Sequence, residues 1–130
     1  MINPINIMVV DDSSRARSAL TAYISLQAGV RITVEASNGL EAISKIESSL
    51  PDIVIMDMQM PFMDGLEATK IIKKRWPCVK VIALTIYQNY RSEALSAGAD
   101  AFLVKGCCIS ELISTVYDLT QTSAAANSKL

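Results

Sequence analysis

Five short apolar runs alternate with five stretches of helical periodicity, and this alternation constrains the fold more than any other feature of the sequence. Most of the runs are continuous and rich in valine and isoleucine, and each leads into polar residues. They are INIMVV (5–10), RITVEAS (31–37), DIVIMD (52–57), VKVIALT (79–85) and AFLVK (101–105). Such runs are typical of strands covered on both faces, as in a parallel sheet. The sequence therefore predicts an α/β domain in which five strands and five helices alternate.

The segments between these runs repeat apolar residues at helical spacing. The patterns span Ala16–Ile24, Leu40–Leu50, Leu66–Ile72, Tyr90–Ala97 and Ile109 to about Leu119. The first segment closes at Gly29 and the fourth at Gly98, as helices commonly do. The third ends in KKRWP, where cations meet the negative end of a helix and Pro77 stops it. Together these signals predict a doubly wound arrangement with helices on both faces of the sheet.

Composition excludes several classes of function. The chain has 130 residues, 51% of them hydrophobic, which suits one compact domain. It contains no histidine, so zinc sites of the histidine type and a Ser-His-Asp arrangement are excluded. A net charge of −1 gives no reason to expect direct nucleic-acid binding. The three cysteines favour reduced thiols over a disulfide framework. With no signal peptide or membrane span predicted, we expect a cytoplasmic location.

Polar residues stand where four of the predicted strands end. Asp11 and Asp12 follow the first strand, Asp57 ends the third, Thr85 the fourth and Lys105 the fifth. In open parallel sheets, ligands bind outside these carboxyl ends. If the first and third strands are neighbours, three carboxylates converge, and such a cluster is costly unless a cation joins it. Oxygen ligands without histidine or cysteine favour a hard ion, so Mg²⁺ is the predicted cofactor.

The remaining two side chains suggest phosphoryl transfer. The hydroxyl of Thr85 and the ammonium of Lys105 would form an electropositive cradle for a transferred anion. A carboxylate held beside Mg²⁺ can attack phosphorus to give an acyl phosphate. Asp57 is the best candidate nucleophile, because it would lie between the other acids and the lysine.

Four segments carry a resemblance to a known family. They are VVDDSS, IVIMDMQMPFMDGLEA, VIALT and AGADAFLVKG, in this order and at these spacings. Each is common alone, but together they make the chain resemble a response-regulator receiver domain of the CheY-like superfamily, most closely the NarL/FixJ-type transcriptional regulators. The resemblance implies a flavodoxin-like fold with strand order 2-1-3-4-5. It runs from about Ile5 to Leu119, so we assign residues 1–120 to a receiver domain and interpret 121–130 as a polar tail, the start of a linker or a cloning remnant.

The resemblance also assigns roles to the residues at the strand ends. Asp57 would accept a phosphoryl group from a sensor histidine kinase. Asp11 and Asp12 would help to bind Mg²⁺, with Asp12, Asp57 and the backbone carbonyl of Gln59 as direct ligands. Thr85 and Lys105 would hold the phosphoryl oxygens. The chain would then be a phosphoacceptor switch with self-phosphotransfer and autodephosphorylation chemistry, and not an enzyme acting on external substrates.

Phe102 falls where receivers keep a switch aromatic. Movement of Thr85 toward the phosphoryl group would open space for the Phe102 ring to turn inward. Family members carry a DNA-binding output domain, so control of transcription through such a domain is implied, as is a phosphorylation-dependent homodimer. Two positions depart from the family pattern. Gly106 replaces a common cis-proline, and Phe102 lacks the hydroxyl of the commoner tyrosine.

Other interpretations of these residues stay open. Asp12 and Ser13 are suited to cap the first helix, whether or not Asp12 also binds a metal. Phe102 is about as well explained as ordinary core. An aspartate-nucleophile phosphatase would need an acid two residues after Asp57, where this chain has Gln59. A pseudo-receiver or stand-alone receiver that acts only by protein binding is a further alternative, although the complete acid, threonine and lysine set argues against a pseudo-receiver.

Overall fold

A computed structural model describes residues 3–128 and shows five strands alternating with helices. The strands are β1 Ile5–Val10, β2 Val30–Ala36, β3 Ile53–Met56, β4 Lys80–Thr85 and β5 Ala101–Val104. The helices are α1 Ser14–Ser25, α2 Gly39–Ser48, α3 Gly65–Arg75, α4 Arg91–Ser96 and α5 Ile109–Ser128. A 3₁₀ turn, Gln88–Tyr90, leads into α4. Among these residues no helix has the length and apolar character needed to cross a membrane.

The strands form one parallel sheet of order β2-β1-β3-β4-β5, which confirms the predicted fold class. Strand β1 lies between β2 and β3, and Val10 is level with Met56 of β3. The residues that follow these two positions are therefore neighbours at one edge of the sheet. The main chain continues this pairing one step further, because the N–H of Asp57 donates to the carbonyl of Val10 at 3.0 Å.

Alternate residues of each strand face opposite sides of the sheet, and each side has its own apolar cluster. One cluster packs α1 and α5 against the sheet through Ile24, Leu112 and Val116. The other packs α2, α3 and α4 through residues such as Ile46 and Ile72. The helices therefore cover both faces, as predicted, and hold the carboxyl edge of the sheet in place.

Some boundaries differ from the prediction. Strand β3 stops at Met56, so Asp57 is a loop residue and not the last residue of a strand. Helix α5 continues past Leu119 to Ser128, through most of the segment predicted as a polar tail, and residues 129–130 lie outside the described range. The continuation agrees with the alanine-rich sequence there, since alanine is the strongest helix former. Whether this segment starts a linker stays a prediction.

Candidate functional site

Three carboxylates converge at the carboxyl edge of the sheet. Oxygens of Asp11, Asp12 and Asp57 all lie within 4.8 Å of one another. Asp11 is 4% exposed and Asp57 8%, whereas Asp12 is exposed. The parallel register of β1 and β3 explains the convergence, because each strand delivers its acid at the same level. The structure thus brings together the three acids that the sequence singled out.

Lys105 reaches into this cluster from the end of β5. Its Nζ lies 2.7 Å from Oδ2 of Asp11 and 3.3 Å from Oδ2 of Asp57. Its main-chain N–H donates to the carbonyl of Thr85 at 2.7 Å, which fixes the start of the loop after β5 to the end of β4. One ammonium therefore bridges two buried carboxylates.

Main-chain donors hold the other oxygens of the two buried acids. The N–H of Ser13 donates to Oδ1 of Asp11 at 2.9 Å, and that of Gln59 donates to Oδ1 of Asp57 at 3.4 Å. Ser13 is also the cap of α1, since its hydroxyl accepts the N–H of Ala16. Capping therefore belongs to Ser13 and leaves Asp12 to the acidic cluster.

The environment shifts the pKa of two groups in the site. Burial raises the pKa of Asp57 above its ordinary value, and the charge of Asp11 adds to this, while Lys105 acts in the opposite direction. For Lys105, burial alone would lower the pKa. Its hydrogen bond to Asp11 and the charge of Asp57 outweigh burial and raise that pKa. Lys105 therefore stays an ammonium at neutral pH, held between acids that need a cation.

The donor set fits a metal ion of the hard class. Three carboxylate oxygens within reach of one another, with no nitrogen or sulfur ligand among them, are what Mg²⁺ and similar ions prefer. Lys105 balances only part of the negative charge of the three acids. The cluster is therefore suited to hold a metal ion.

Thr85, Phe102 and Gly106 extend from this centre into the rest of the fold. Thr85 is fully buried at the end of β4, and its hydroxyl accepts the N–H of Tyr87 at 3.4 Å. Phe102 is 8% exposed and packs in the cluster shared with α4. Gly106 has a φ of +95°, a conformation that suits glycine, and no described peptide bond is cis.

Sequence reasoning does not find two residues of the site. Arg17, on the first helix, donates from its terminal NH1 to the carbonyl of Asp11 at 2.6 Å. Gly65, at the start of α3, lies so close to the main chain of Asp57 that a Cβ there would collide with the Asp57 carbonyl oxygen. In the sequence, the Asp-Gly pair indicates only a turn and a helix start. Nothing in the sequence distinguishes Arg17 from other helix arginines.

Comparison with known proteins identifies the family. Residues 7–117 match the family described as the response regulator receiver domain. The response regulator protein VraR of Staphylococcus saprophyticus is 35% identical over 115 residues, which are 87% of this chain and 55% of that protein. The chain thus spans about half the length of this curated relative.

Solved structures of similar proteins have the same fold. A DNA-binding response regulator of the LuxR family from Staphylococcus aureus is 32% identical with a TM-score of 0.83, and the match covers 88% of this chain and 98% of that one. The receiver domain of the putative response regulator NarL from Mycobacterium tuberculosis is 26% identical with a TM-score of 0.85, covering 92% and 98%. The chain belongs to the response regulator receiver domain family.

Proposed function

We propose that Asp57 accepts a phosphoryl group from the phosphohistidine of a sensor histidine kinase. The observation that carries this proposal is the position of Asp57, a buried carboxylate that shares one lysine ammonium with Asp11 and lies beside Asp12. Three acids and one ammonium gathered at a sheet edge are suited to bind a cation and an anionic group together. As part of such a pathway, the protein would work in the cytoplasm.

The proposed chemistry is one displacement at phosphorus. A carboxylate oxygen of Asp57 forms a bond to phosphorus while the bond from phosphorus to the imidazole nitrogen of the donor breaks. The imidazole leaves with the electron pair and takes up a proton. Lys105 is placed to hold a phosphoryl oxygen and to offset its charge, and Thr85 would donate its hydroxyl to another oxygen after a small movement.

Mg²⁺ is the proposed cofactor of this step. Asp11, Asp12, Asp57 and the carbonyl of Gln59 would hold it, with Asp12, Asp57 and that carbonyl as direct ligands. When bound, the ion neutralises charge on the acids and on the incoming phosphoryl group. Asp12, the exposed member of the cluster, is the acid most accessible to a hydrated ion.

Phe102 and Thr85 are the proposed switch. A shift of Thr85 toward the phosphoryl oxygens would alter the packing behind β4, where the Phe102 ring lies against the same apolar cluster as Ala83 and Ala94. Because Phe102 is already buried in this structure, the modification need not draw an exposed ring into the fold. It would instead stabilise one packing of the buried ring over another.

Receiver domains are signalling switches, and we propose no external substrate for this one. Gln59 stands two residues after Asp57, where a phosphatase of the aspartate-nucleophile type would have an acid. Loss of the phosphoryl group would therefore be slow autodephosphorylation by water. The chain would act once for each phosphorylation and return to its resting form without turnover of another molecule.

The proposed output is control of transcription. The S. aureus structure similar to this chain is described as a DNA-binding regulator, and relatives such as VraR are about twice as long as the matched segment. We propose that DNA is bound through a separate output domain, with no direct nucleic-acid contact by the receiver. A phosphorylation-dependent homodimer would bring two such output domains together.

The decisive experiment measures intact-protein mass after incubation with acetyl phosphate, with and without Mg²⁺. We expect one added phosphoryl group in the wild type with Mg²⁺ and none in Asp57→Asn, which is nearly isosteric. Asp52→Asn is the matched control, because Asp52 precedes β3 at the opposite end of the sheet, and it should be modified like wild type. Modification of Asp57→Asn at the wild-type level would remove Asp57 as the acceptor.

A further inference from the structure

We propose that Arg17 is a positioning residue that orients the Asp11–Asp12 turn for cation binding, an inference that rests on the proposed function. Arg17 touches neither a proposed metal ligand atom nor the phosphoryl site. It acts through the peptide group that joins the two acids. Its effect on Asp12 follows from the geometry of the guanidinium and from the balance of charge around it.

The guanidinium of Arg17 is fixed at two points. NH1 donates to the carbonyl of Asp11 at 2.6 Å, and Nε donates to Oε1 of Glu35 at 3.1 Å. The side chain is only 19% exposed. Because the guanidinium is planar and its donors have fixed directions, two bonds to different strands define its orientation well. Arg17 therefore links the end of β1 to the end of β2.

The acceptor of this bond belongs to the peptide group that leads into Asp12. A peptide group is planar, so the carbonyl of Asp11 and the N–H of Asp12 lie in one plane. Fixing that carbonyl fixes the plane that contains the N–Cα bond of Asp12, and so limits the directions that its side chain can take. Among the described residues, none donates a hydrogen bond to the Asp12 carboxylate, which is exposed. The orientation of Asp12 therefore depends on its backbone, and Arg17 holds that backbone.

Glu35 is itself held, so the support extends beyond one pair. Its main-chain carbonyl accepts Nζ of Lys45 at 2.7 Å, and Lys45 also pairs with Glu41 at 2.8 Å. Ser37 donates to the other oxygen of Glu41 at 2.7 Å. A continuous polar network thus runs from the acidic turn through the end of β2 to helix α2. The carboxylate of Glu35 that accepts Arg17 is therefore carried by a strand end that is tied to α2.

Charge and positioning predict opposite effects for the loss of Arg17. If its positive charge acted mainly by repelling a cation, its removal would strengthen metal binding. Glu35 pairs with that charge at 3.1 Å and reduces its repulsion of a cation, so we expect the hydrogen bond to the Asp11 carbonyl to have the larger effect. Removal of Arg17 should therefore weaken metal binding. Removal of a group that orients the metal ligands without touching the metal typically lowers metal affinity by about 10–100-fold.

The test measures the Mg²⁺ dissociation constant by isothermal titration calorimetry for wild type, Arg17→Met, Arg17→Lys and Glu35→Gln. We expect Arg17→Met to weaken binding about tenfold. Arg17→Lys should recover part of the loss, because an ammonium also donates to the Asp11 carbonyl. Glu35→Gln should weaken Mg²⁺ binding less than Arg17→Met does. The matched control is Arg15→Met, which removes the same charge from an exposed position two residues earlier on α1 and should bind like wild type.

A second readout separates positioning from general damage. With acetyl phosphate, Arg17→Met should need more Mg²⁺ for half-maximal modification but reach the wild-type extent at saturating Mg²⁺. Unchanged or tighter Mg²⁺ binding by Arg17→Met, or an equal effect of Arg15→Met, would overturn the proposal. If Arg17→Met does not fold, Arg17→Lys and Glu35→Gln are compared with wild type instead. Unchanged or tighter Mg²⁺ binding by both variants would then overturn the proposal. Failure of wild type to bind Mg²⁺ at all would instead refute the proposed function.

Discussion

Asp57 combines two demands that oppose each other at the scale of a single residue. A nucleophilic carboxylate should be ionised, yet its burial and the neighbouring charge of Asp11 favour the protonated form and raise its pKa. Lys105 partly offsets both effects from 3.3 Å. The ionised site therefore carries a cost in folding free energy, which a neutral residue of the same shape would avoid.

We expect Asp57→Asn to stabilise the fold at neutral pH in the absence of Mg²⁺. The folded pKa of Asp57 is raised, so the folded state binds this proton more strongly than the unfolded state. Stability is then lost as pH rises from the ordinary aspartate pKa through the folded value. The advantage of Asp57→Asn should be full above that range and vanish below it. Urea unfolding across pH measures this, with Asp52→Asn as control; a less stable Asp57→Asn at neutral pH would contradict it.

At this scale the sequence predicts which residues meet but not how they are paired. Asp11, Asp12, Asp57 and Lys105 can be brought together from strand order alone, because parallel strands deliver their ends to one edge. The short contact of Lys105 with Asp11, and the longer one with Asp57, depend on side-chain conformations that no motif encodes. The contact of Arg17 with Asp11 cannot be predicted from the sequence either, because its acceptor is a main-chain carbonyl.

The junction of β3 and α3 shows how one element is placed against the site. Asp64 caps α3 by accepting the N–H of Glu67 at 2.9 Å, and the N–H of Gly65 donates to the carbonyl of Met58 at 3.1 Å. These bonds bring the start of the helix against the main chain of Asp57, where only a residue without a side chain fits. The helix start therefore holds the backbone that carries the acceptor.

Gly65→Ala should destabilise the protein by about 3 kcal/mol or more, because the added methyl would meet backbone that cannot move aside without shifting Asp57. Gly106→Ala is the matched control. Gly106 has a φ of +95° but nothing within 4 Å of an added Cβ, so only the conformational cost of about 1 kcal/mol applies. Urea midpoints measure both. Equal losses of stability in the two variants would show that neighbouring atoms shift to accommodate the added methyl group at Gly65.

The elements themselves are largely predictable, and the exceptions have physical causes. Continuous Val and Ile runs identify buried strands well, and Pro77 and Gly98 mark the ends of α3 and α4, whereas α1 already ends at Ser25, before Gly29. Periodicity predicts that the short α4 begins at Tyr90, but the chain first forms a 3₁₀ turn there, a difference too small for periodicity to resolve. The length of α5 is underestimated because its last residues have helix propensity without an apolar face.

At the scale of the whole molecule, binding at the site and folding of the domain are thermodynamically coupled. Three acids at the sheet edge repel one another, while two apolar clusters on opposite faces hold the strands that carry them. Any ligand that binds only the folded acids must stabilise the entire domain. Global unfolding therefore reports on the site without any phosphoryl donor.

Mg²⁺ at 100 times its dissociation constant should raise the free energy of unfolding by about 2.7 kcal/mol. Asp12→Ala should lose this increment and should be at least as stable as wild type without Mg²⁺, because it relieves repulsion among the acids. Thermal unfolding with and without Mg²⁺ measures both effects, and Asp52→Asn should keep the wild-type increment. An undiminished Mg²⁺ effect in Asp12→Ala would remove Asp12 from the site.

The strand order has one further consequence. Strand β5 is an edge strand, paired with β4 through four residues, and it carries Phe102 and leads directly to Lys105. Its amides should exchange with solvent deuterium earlier than those of β1 and β3, which have neighbours on both sides. Phe102, one of the two proposed switch residues, thus lies on the strand that we expect to open most readily, while Thr85 lies on β4 beside it. We expect β5 to open locally while β1 and β3, the strands that place the acids, stay closed.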